Sequence, residues 1–364
     1  MSGLHLGCCV SSHGFGHAAR TSAILQALAE LAQVRCTVVS LVPHWFFQSS
    51  LPCPFTYYPW QSDIGLVQKS ALREDLPATV RELSLFYPLR QELVARVAAV
   101  FAHCDLVLCD IAPLGIAAAR QAGVPSVLLE NFTWDWLYEG FLERCAELSP
   151  FVSCLRDLNR QADYHIQTLP VCAPGPCDLL AGPIARRIRS SRAEVRQMLG
   201  IAADQPLVLV SLGGLGMAGV NLCLPEDGSG TLYLVAGKQE EGRAQKNVRF
   251  LPPESGLDHP ELVAACDAVI GKAGYSTLAE VYRAQVPFGY IQRQGFRESG
   301  PLVSFIRQEM AGLEITEREL ADGSLAAKIS SLLALVPPSP RLPDGAGQCA
   351  AFLAALPTRR QRKG

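Results

Sequence analysis

Two successive rounds of one alternation, joined by a stretch dense in proline and glycine, restrict this chain more than any other feature. In the first round, apolar runs at 4–10, 35–41, 106–110 and 126–130 read as buried strands, with helical patterns at 17–31, 83–102 and 114–122. Short strands separated by such helices build βαβ units and hence a parallel sheet. Gly123-Val124-Pro125 stops one helix and starts the next strand. The round closes with a strand at 163–167. Residues 169–183 then bring Pro170, Pro174, Gly175, Pro176, Gly182 and Pro183, a composition that predicts a linker.

The second round sets helical patterns at 192–199, 260–265, 276–284 and 325–335 among strands at 207–212, 231–236, 248–251, 268–271 and 288–291. A proline-rich break at 337–343 precedes a short helix at 347–356. The expectation is an α/β protein with two Rossmann-like domains. The first domain spans 1–168, the linker 169–183, the second domain 184–336, and a C-terminal helix with a basic tail 337–364. A chain of 364 residues suits this division, since single cores stop growing at about 250–300 residues. In a pair of this kind the ligand is expected in the cleft between the carboxyl ends of the two sheets.

Charge and cysteine usage remove several classes of function. Thirty-two basic against 34 acidic residues leave a formal charge of −2, without the basic surplus that phosphate-backbone binding needs. Nucleic acid is therefore not an expected partner. The run Arg359-Arg360-Gln361-Arg362-Lys363 reads as a solvated tail, with weak contact to anionic lipid as the alternative. No stretch approaches ~18 uninterrupted apolar residues, and no export signal precedes the first strand. The 13 cysteines are odd in number and scattered through apolar segments, and none is spaced for zinc. Reduced thiols acting as small core residues in a cytoplasmic protein are expected.

Chemistry-bearing residues gather where strands hand over to helices. The loop Ser11-Ser12-His13-Gly14-Phe15-Gly16-His17 follows the first strand. Gly14 and Gly16 let its backbone approach a ligand, and the helix start favours anionic or strongly polar groups. It lacks the third glycine of a dinucleotide fingerprint and the Lys-Ser/Thr of a phosphate loop. A neutral imidazole at a helix N-terminus is suited to take a proton, so His17 and His13 are candidates; a tight turn whose histidines hydrogen-bond backbone carbonyls is the alternative. Asp110, at the end of its strand, reads as a general base or as a loop cap. Asn131-Phe132-Thr133-Trp134-Asp135-Trp136 follows the next strand, and its aromatics suit either stacking on a ligand ring or packing at a domain edge.

The second domain repeats the arrangement. Gly213-Gly214 ends the strand at 207–212, and Gly271-Lys272-Ala273-Gly274-Tyr275-Ser276-Thr277 leads into the helix at 276–284. Gly274 permits an unusual turn, and Ser276 and Thr277 offer hydroxyls and amides at a helix start, a seat for a diphosphate. Glu280, one turn on, can accept two ribose hydroxyls; a capping box with Ser276 or Thr277 is the alternative. Lys272 and Lys238 can offset diphosphate charge or do nothing specific.

These segments carry a family resemblance. The chain resembles the GT-B glycosyltransferases, in particular the family of the lipid-linked N-acetylglucosaminyltransferase of peptidoglycan synthesis. The Gly-Gly-Thr-Gly-Gly-His loop of that family is matched by 12–17, with His17 in register. Its Ser-Gly-Ala-x-Thr-x-x-Glu donor motif is matched by 273–280, with Gly274, Thr277 and Glu280 in register, and its Gly-Gly turn by Gly213-Gly214. A nearer resemblance is to the glycosyltransferase-like region that precedes the kinase domain of L-arabinokinases. That region has a Gly-His-Gly-Phe-Gly-His-x-x-Arg loop, matched at 12–20 with Ser12 for the first glycine. These 364 residues hold no match to that kinase domain, so arabinokinase activity is not expected of them. Where the peptidoglycan family places a Gln-Gln pair on the donor sugar, this chain has Arg293, Arg297 and Glu298.

The resemblance implies inverting, metal-independent transfer of a sugar from a nucleotide-diphosphate donor, UDP-linked, to an acceptor hydroxyl, with no cofactor. His17 would take the proton, with Asp110 as the substitute. The donor would meet Gly213, Gly214, Gly274, Ser276, Thr277, Glu280, Arg293 and Glu298. The acceptor side would comprise His13, Gly14, Gly16, Asn131 and Trp134. A sugar-nucleotide 2-epimerase and a non-catalytic sugar-nucleotide binder are the rival readings on the same fold.

Overall fold

Strand β1 (Leu4–Val10) shows why this chain builds three layers. Leu6, Cys8 and Val10 face the core under the first helix, whereas Gly7 lies against Phe101 and Cys9 against Gly115 on the opposite side. A strand covered on both faces is apolar throughout, as parallel strands are. The computed structural model describes residues 3–70, 72–212, 222–226, 230–236, 246–252 and 256–357. It divides into two units: one comprises residues up to Val67, Glu74–Ile184 and those from Leu342 onward, and the other comprises Gln68–Arg73 and Ala185–Arg341.

In the first unit, β1 is followed by α1 (Gly16–Leu31), β2 (Val34–Val39), α2 (His44–Ser50) and β3 (Phe55–Tyr58). A small ribbon of β4 (Gln68–Ser70) with β5 (Arg73–Glu74) precedes α3 (Leu76–Phe86) and α4 (Gln91–Phe101). Then come β6 (Leu106–Asp110), α5 (Pro113–Ala122), β7 (Ser126–Glu130), α6 (Trp134–Glu139), α7 (Ser149–Asn159), β8 (Tyr164–Thr168) and β9 (Leu179–Ala181). The seven-stranded sheet runs β3-β2-β1-β6-β7-β8-β9, with parallel pairing throughout. Strand order reverses between β1 and β6, where Val10 registers with Asp110. That reversal opens a crevice at the carboxyl ends of the strands.

The second unit holds α8 (Arg192–Met198), β10 (Leu207–Ser211), β11 (Leu232–Ala236), β12 (Val248–Leu251), α9 (His259–Ala265), β13 (Ala268–Lys272) and α10 (Tyr275–Ala284). It continues through β14 (Phe288–Ile291), α11 (Ser299–Glu309), β15 (Gly312–Glu314), α12 (Glu317–Asp322) and α13 (Ala326–Leu333). Its six strands run β12-β11-β10-β13-β14-β15, again all parallel. Here the reversal lies between β10 and β13, with Ser211 opposite Gly271.

Three readings of the sequence are corrected. The helical stretch at 83–102 is two helices, α3 and α4, because Pro88 has no N–H to give and biases Tyr87 away from helical backbone. The stretch at 169–183 is not a free linker: Leu179–Ala181 is β9, paired to β8 with Ile166 opposite Leu179. The C-terminal helix α14 (Gly345–Ala355) is no separate appendage, since Ala346, Cys349, Ala350 and Leu353 join the core beneath α1. Gly213 and Gly214 lie outside the described residues.

Helix α14 docks by direct backbone approach. Gly182 N donates to Gln348 Oε1 at 2.8 Å, and a Cβ on Gly345 would collide with the Gly182 carbonyl. Gly345→Val is therefore expected to cost about 1–3 kcal/mol or more through overpacking. A fall in the melting temperature of the first unit in calorimetry checks this, and an unchanged melting curve refutes the backbone contact.

Candidate functional site

Each unit carries one buried carboxylate at its topological reversal. In the first, Asp110 ends β6 with no exposed surface. Helix α1 supplies its partners from one face, because residues three and four apart line up. His17 Nδ1 lies 2.9 Å from Asp110 Oδ1, Arg20 Nε donates to Oδ2 at 3.0 Å, and Thr21 Oγ1 donates to Oδ2 at 3.1 Å. Arg20 Nη2 also donates to Oδ1, and Arg20 Nη1 donates to Asn131 Oδ1 at 2.8 Å. Burial alone would push the Asp110 pKa up; the Arg20 charge and the His17 contact outweigh it and hold the carboxyl below its usual range.

An ionised Asp110 can only accept, so His17 Nδ1 carries a proton, and it is the neutral form of this ring whose Nε2 offers a lone pair. Among the described residues Nε2 has no hydrogen-bond partner. His17 and Asp110, which the sequence offered as alternatives, are thus one dyad. Ile111, immediately after Asp110, has φ 43°, an uncommon conformation for a β-branched residue, and such strain clusters at functional sites.

A second carboxylate stands behind the loop. Asp63 is buried and accepts from Trp134 Nε1 at 2.7 Å and from Ser62 Oγ at 3.4 Å. Burial raises its pKa, against hydrogen bonds from Ser11, Trp134 and the Ser12 backbone. Trp134 meets the His13 ring edge-on at 5.1 Å, and the backbone of Gly65 closes on His13 from the other side. Gly14 takes φ 77°, left-handed backbone that favours glycine, and Gly16 opens α1. Trp134 and Asn131 are buried, at 2% and 0% exposure. That burial favours the packing alternative: Trp134 meets His13, and Asn131 accepts from Arg20.

In the second unit the carboxylate is Glu280 on α10. Its Oε2 lies 2.5 Å from His259 Nδ1 and its Oε1 accepts from Arg186 Nη2 at 3.4 Å; His259 Nε2 lies 3.0 Å from Ser211 Oγ, at the end of β10. Burial would raise the Glu280 pKa, but His259 and Arg186 overcome it and lower it. The capping-box alternative fails, since α10 starts at Tyr275 with Gly274 as its cap residue and no side-chain cap. Gly274 itself is extended (φ −125°), so the unusual turn expected there is absent; what it does is leave the start of α10 uncovered by a side chain. Ser276 and Thr277 lie in the first turn, partly exposed.

Beside that helix start, Lys272 ends β13. Burial and the Arg293 charge draw its pKa down to about 8, opposed by Glu298. Arg293 donates to Glu298 at 3.0 Å and stacks 3.3 Å over Phe296, both charged groups being buried. Among the described residues no cluster of His, Cys, Asp and Glu is arranged to hold a metal. Sequence reasoning missed Asp63, Arg186, Ser211 and His259. Arg20 was visible as part of the loop motif, one turn after His17, but its task was not.

No protein-family model matches the chain. It is similar to L-arabinokinase of Arabidopsis thaliana, 29% identical over 336 residues, which are 90% of this chain and 32% of that protein. It is also similar to the UDP-N-acetylglucosamine–N-acetylmuramyl-(pentapeptide) pyrophosphoryl-undecaprenol N-acetylglucosamine transferase of Clavibacter michiganensis. That match is 30% identical over 189 residues, 48% of this chain and 47% of that protein. The chain thus spans less than half the length of either curated relative. Among solved structures it is similar to UGT2 of Phytolacca americana, complexed with UDP-2-fluoro-glucose and pterostilbene. The TM-score is 0.59 at 14% identity, covering 96% of this chain and 93% of that one. The fold is that of the GT-B glycosyltransferases, two Rossmann-like domains, as the loop and donor motifs implied.

The buried pair gives a stability prediction. Arg20→Ala leaves Asp110 without its guanidinium, and stranding a buried charge costs about 3–5 kcal/mol. A fall in melting temperature on the order of 10 °C is expected for a unit of this size. Arg20→Ala together with Asp110→Asn should recover much of it; if the double variant melts no higher than the single, the charge pair is not the cause.

Proposed function

We propose that the chain is a glycosyltransferase that moves a sugar from a nucleoside-diphosphate donor, UDP-linked, to an acceptor hydroxyl. The observation that carries the reading is the His17–Asp110 dyad, with Nε2 of His17 left to accept a proton at the carboxyl ends of the first sheet. His17 removes the acceptor's proton, the acceptor oxygen bonds to the anomeric carbon, and the bond from that carbon to the diphosphate breaks. A single displacement of this kind inverts the anomeric centre. Asp110 steadies the imidazolium that forms.

The donor half belongs to the second unit. Lys272, Arg293 and the amides at the start of α10 offset the charge of the leaving diphosphate, in the place a divalent ion takes elsewhere. This supports a metal-independent reaction without a cofactor. UDP is favoured because the Clavibacter relative is named for a UDP sugar and the Phytolacca structure holds one. The acceptor-side loop is His13, Gly14 and Gly16, with Asn131 and Trp134 behind it. A cytoplasmic location is proposed from the cysteine usage; no described helix is long and apolar enough to cross a membrane.

Two measurements test this. UDP or a UDP-sugar should raise the melting temperature, and His17→Ala should reduce transfer about 10²–10⁴-fold while nucleotide affinity stays within about threefold. Turnover of the donor with no acceptor, and with free UDP exchanged during epimerisation, would favour the epimerase; binding with no turnover under any acceptor would favour the binder.

A third measurement is the pH dependence of UDP binding. A lysine with its pKa lowered to about 8 is charged below that pH and neutral above it. UDP affinity should therefore weaken as pH rises from 7 to 9, by up to about tenfold for one lost charge. Lys272→Arg should flatten the profile, and a native profile that is already flat removes Lys272 from the diphosphate.

A further inference from the structure

Glu280 does not stand alone in the second unit. Because its carboxylate can only accept, His259 Nδ1 must donate to Oε2, and Nε2 on the far side of the ring lies within hydrogen-bond distance of the Ser211 hydroxyl. The result is a hydrogen-bonded chain, Ser211 to His259 to Glu280, with Arg186 donating to the other carboxylate oxygen at the longer distance of 3.4 Å. Three separate parts of the unit meet in it: the end of β10, the start of α9 and the second turn of α10.

This chain leaves Glu280 with a defined unused capacity. A carboxylate offers about four acceptor sites, and one protein donor occupies each oxygen. One site per oxygen remains, a spacing that suits two neighbouring hydroxyl donors, which is what a ribose presents and a 2′-deoxyribose does not. A glutamate is flexible, and its 2.5 Å contact with His259 is the shorter of its two tethers. A deoxynucleotide would leave one buried acceptor site unpaired, and sites built to bond a hydroxyl reject the analogue that lacks it.

We infer that His259 is a positioning residue which, by fixing Glu280, sets a preference for ribonucleotides over 2′-deoxyribonucleotides. The inference rests on the nucleotide reading proposed above. It adds to that reading the residue that enforces the sugar choice, together with Ser211 as the group that holds the imidazole.

The test is calorimetric titration of the full chain with UDP and with 2′-deoxy-UDP. The native chain should bind UDP at least about tenfold more tightly. His259→Ala should bring that ratio close to one, chiefly by weakening UDP. His259→Asn, whose amide nitrogen lies near the original Nδ1, should restore much of it, and Ser211→Ala should erode it in part. A structural prop would lower both affinities together and leave the ratio intact, so an unchanged ratio in a folded His259→Ala overturns the inference. Should His259→Ala fail to fold, an unaltered ratio in Ser211→Ala and His259→Gln overturns it equally. Absence of binding by either nucleotide to the native chain overturns the nucleotide reading and the inference with it.

Discussion

The charge on Asp110 is the constraint around which the first unit is built. A carboxylate with no exposed surface needs donors on every side, and the chain finds them almost wholly on one turn of α1. That requirement fixes where α1 must begin. The loop at 11–15 has to be short enough to return Gly16 above the strand ends, and Gly14 supplies the left-handed backbone that allows it. Arg20 then reaches past Asp110 to Asn131, so one guanidinium ties the ends of β6 and β7 to the helix that follows β1. Removing Arg20 would leave Asp110 with a buried, poorly paired charge and Asn131 without its donor, so the guanidinium is the member on which the cluster depends.

The second unit solves the same problem with the same three kinds of side chain, a glutamate standing in place of the aspartate. Arg186, Glu280 and His259 repeat Arg20, Asp110 and His17: a guanidinium and an imidazole on one buried carboxylate beside a topological reversal. The wiring differs in a way that bears on chemistry. The first unit's His17 has Nε2 without a partner, and so retains a basic site. In the second unit both nitrogens of His259 are engaged, one by Glu280 and one by Ser211. The first arrangement is suited to take up a proton and the second to hold a carboxylate still.

What was legible in the sequence follows from the range of the interactions involved. Strands β1, β6, β7 and β10 announced themselves because burial on both faces makes a short run uniformly apolar. The loop at 11–17 and the segment at 271–280 were visible because strand-to-helix turns leave local marks in glycine and polar residues. Asp63 and Trp134 are 71 residues apart, and Glu280 and Arg186 are 94 apart; no window of sequence contains such a pair. The burial of Trp134 was illegible for a related reason, since an aromatic after a strand reads alike whether it covers a ligand or a buried aspartate. Strand β9 was hidden by the prolines around it, which mark a turn but do not exclude a three-residue edge strand. Pro88 was different: the break between α3 and α4 was written in the sequence, and the apolar periodicity on either side obscured it.

Under the proposed reading, the charges in the second unit also limit what the donor sugar can be asked to contact. Lys272, Arg293 and Glu298 sum to one positive charge while Lys272 keeps its proton. Arg293 is spoken for twice, by its ion pair with Glu298 and by its stack on Phe296, and it is buried. Separating it from Glu298 to meet a ligand would strand a buried carboxylate, at a cost of several kcal/mol. Arg293 is therefore better placed to lend its field to a diphosphate than to hydrogen-bond a sugar directly. Glu298, held from one side by Arg293, keeps acceptor capacity on its carboxylate. A sugar hydroxyl is the natural donor for it. Where the peptidoglycan family presents two neutral amides to its donor sugar, this chain has one clamped, buried ion pair.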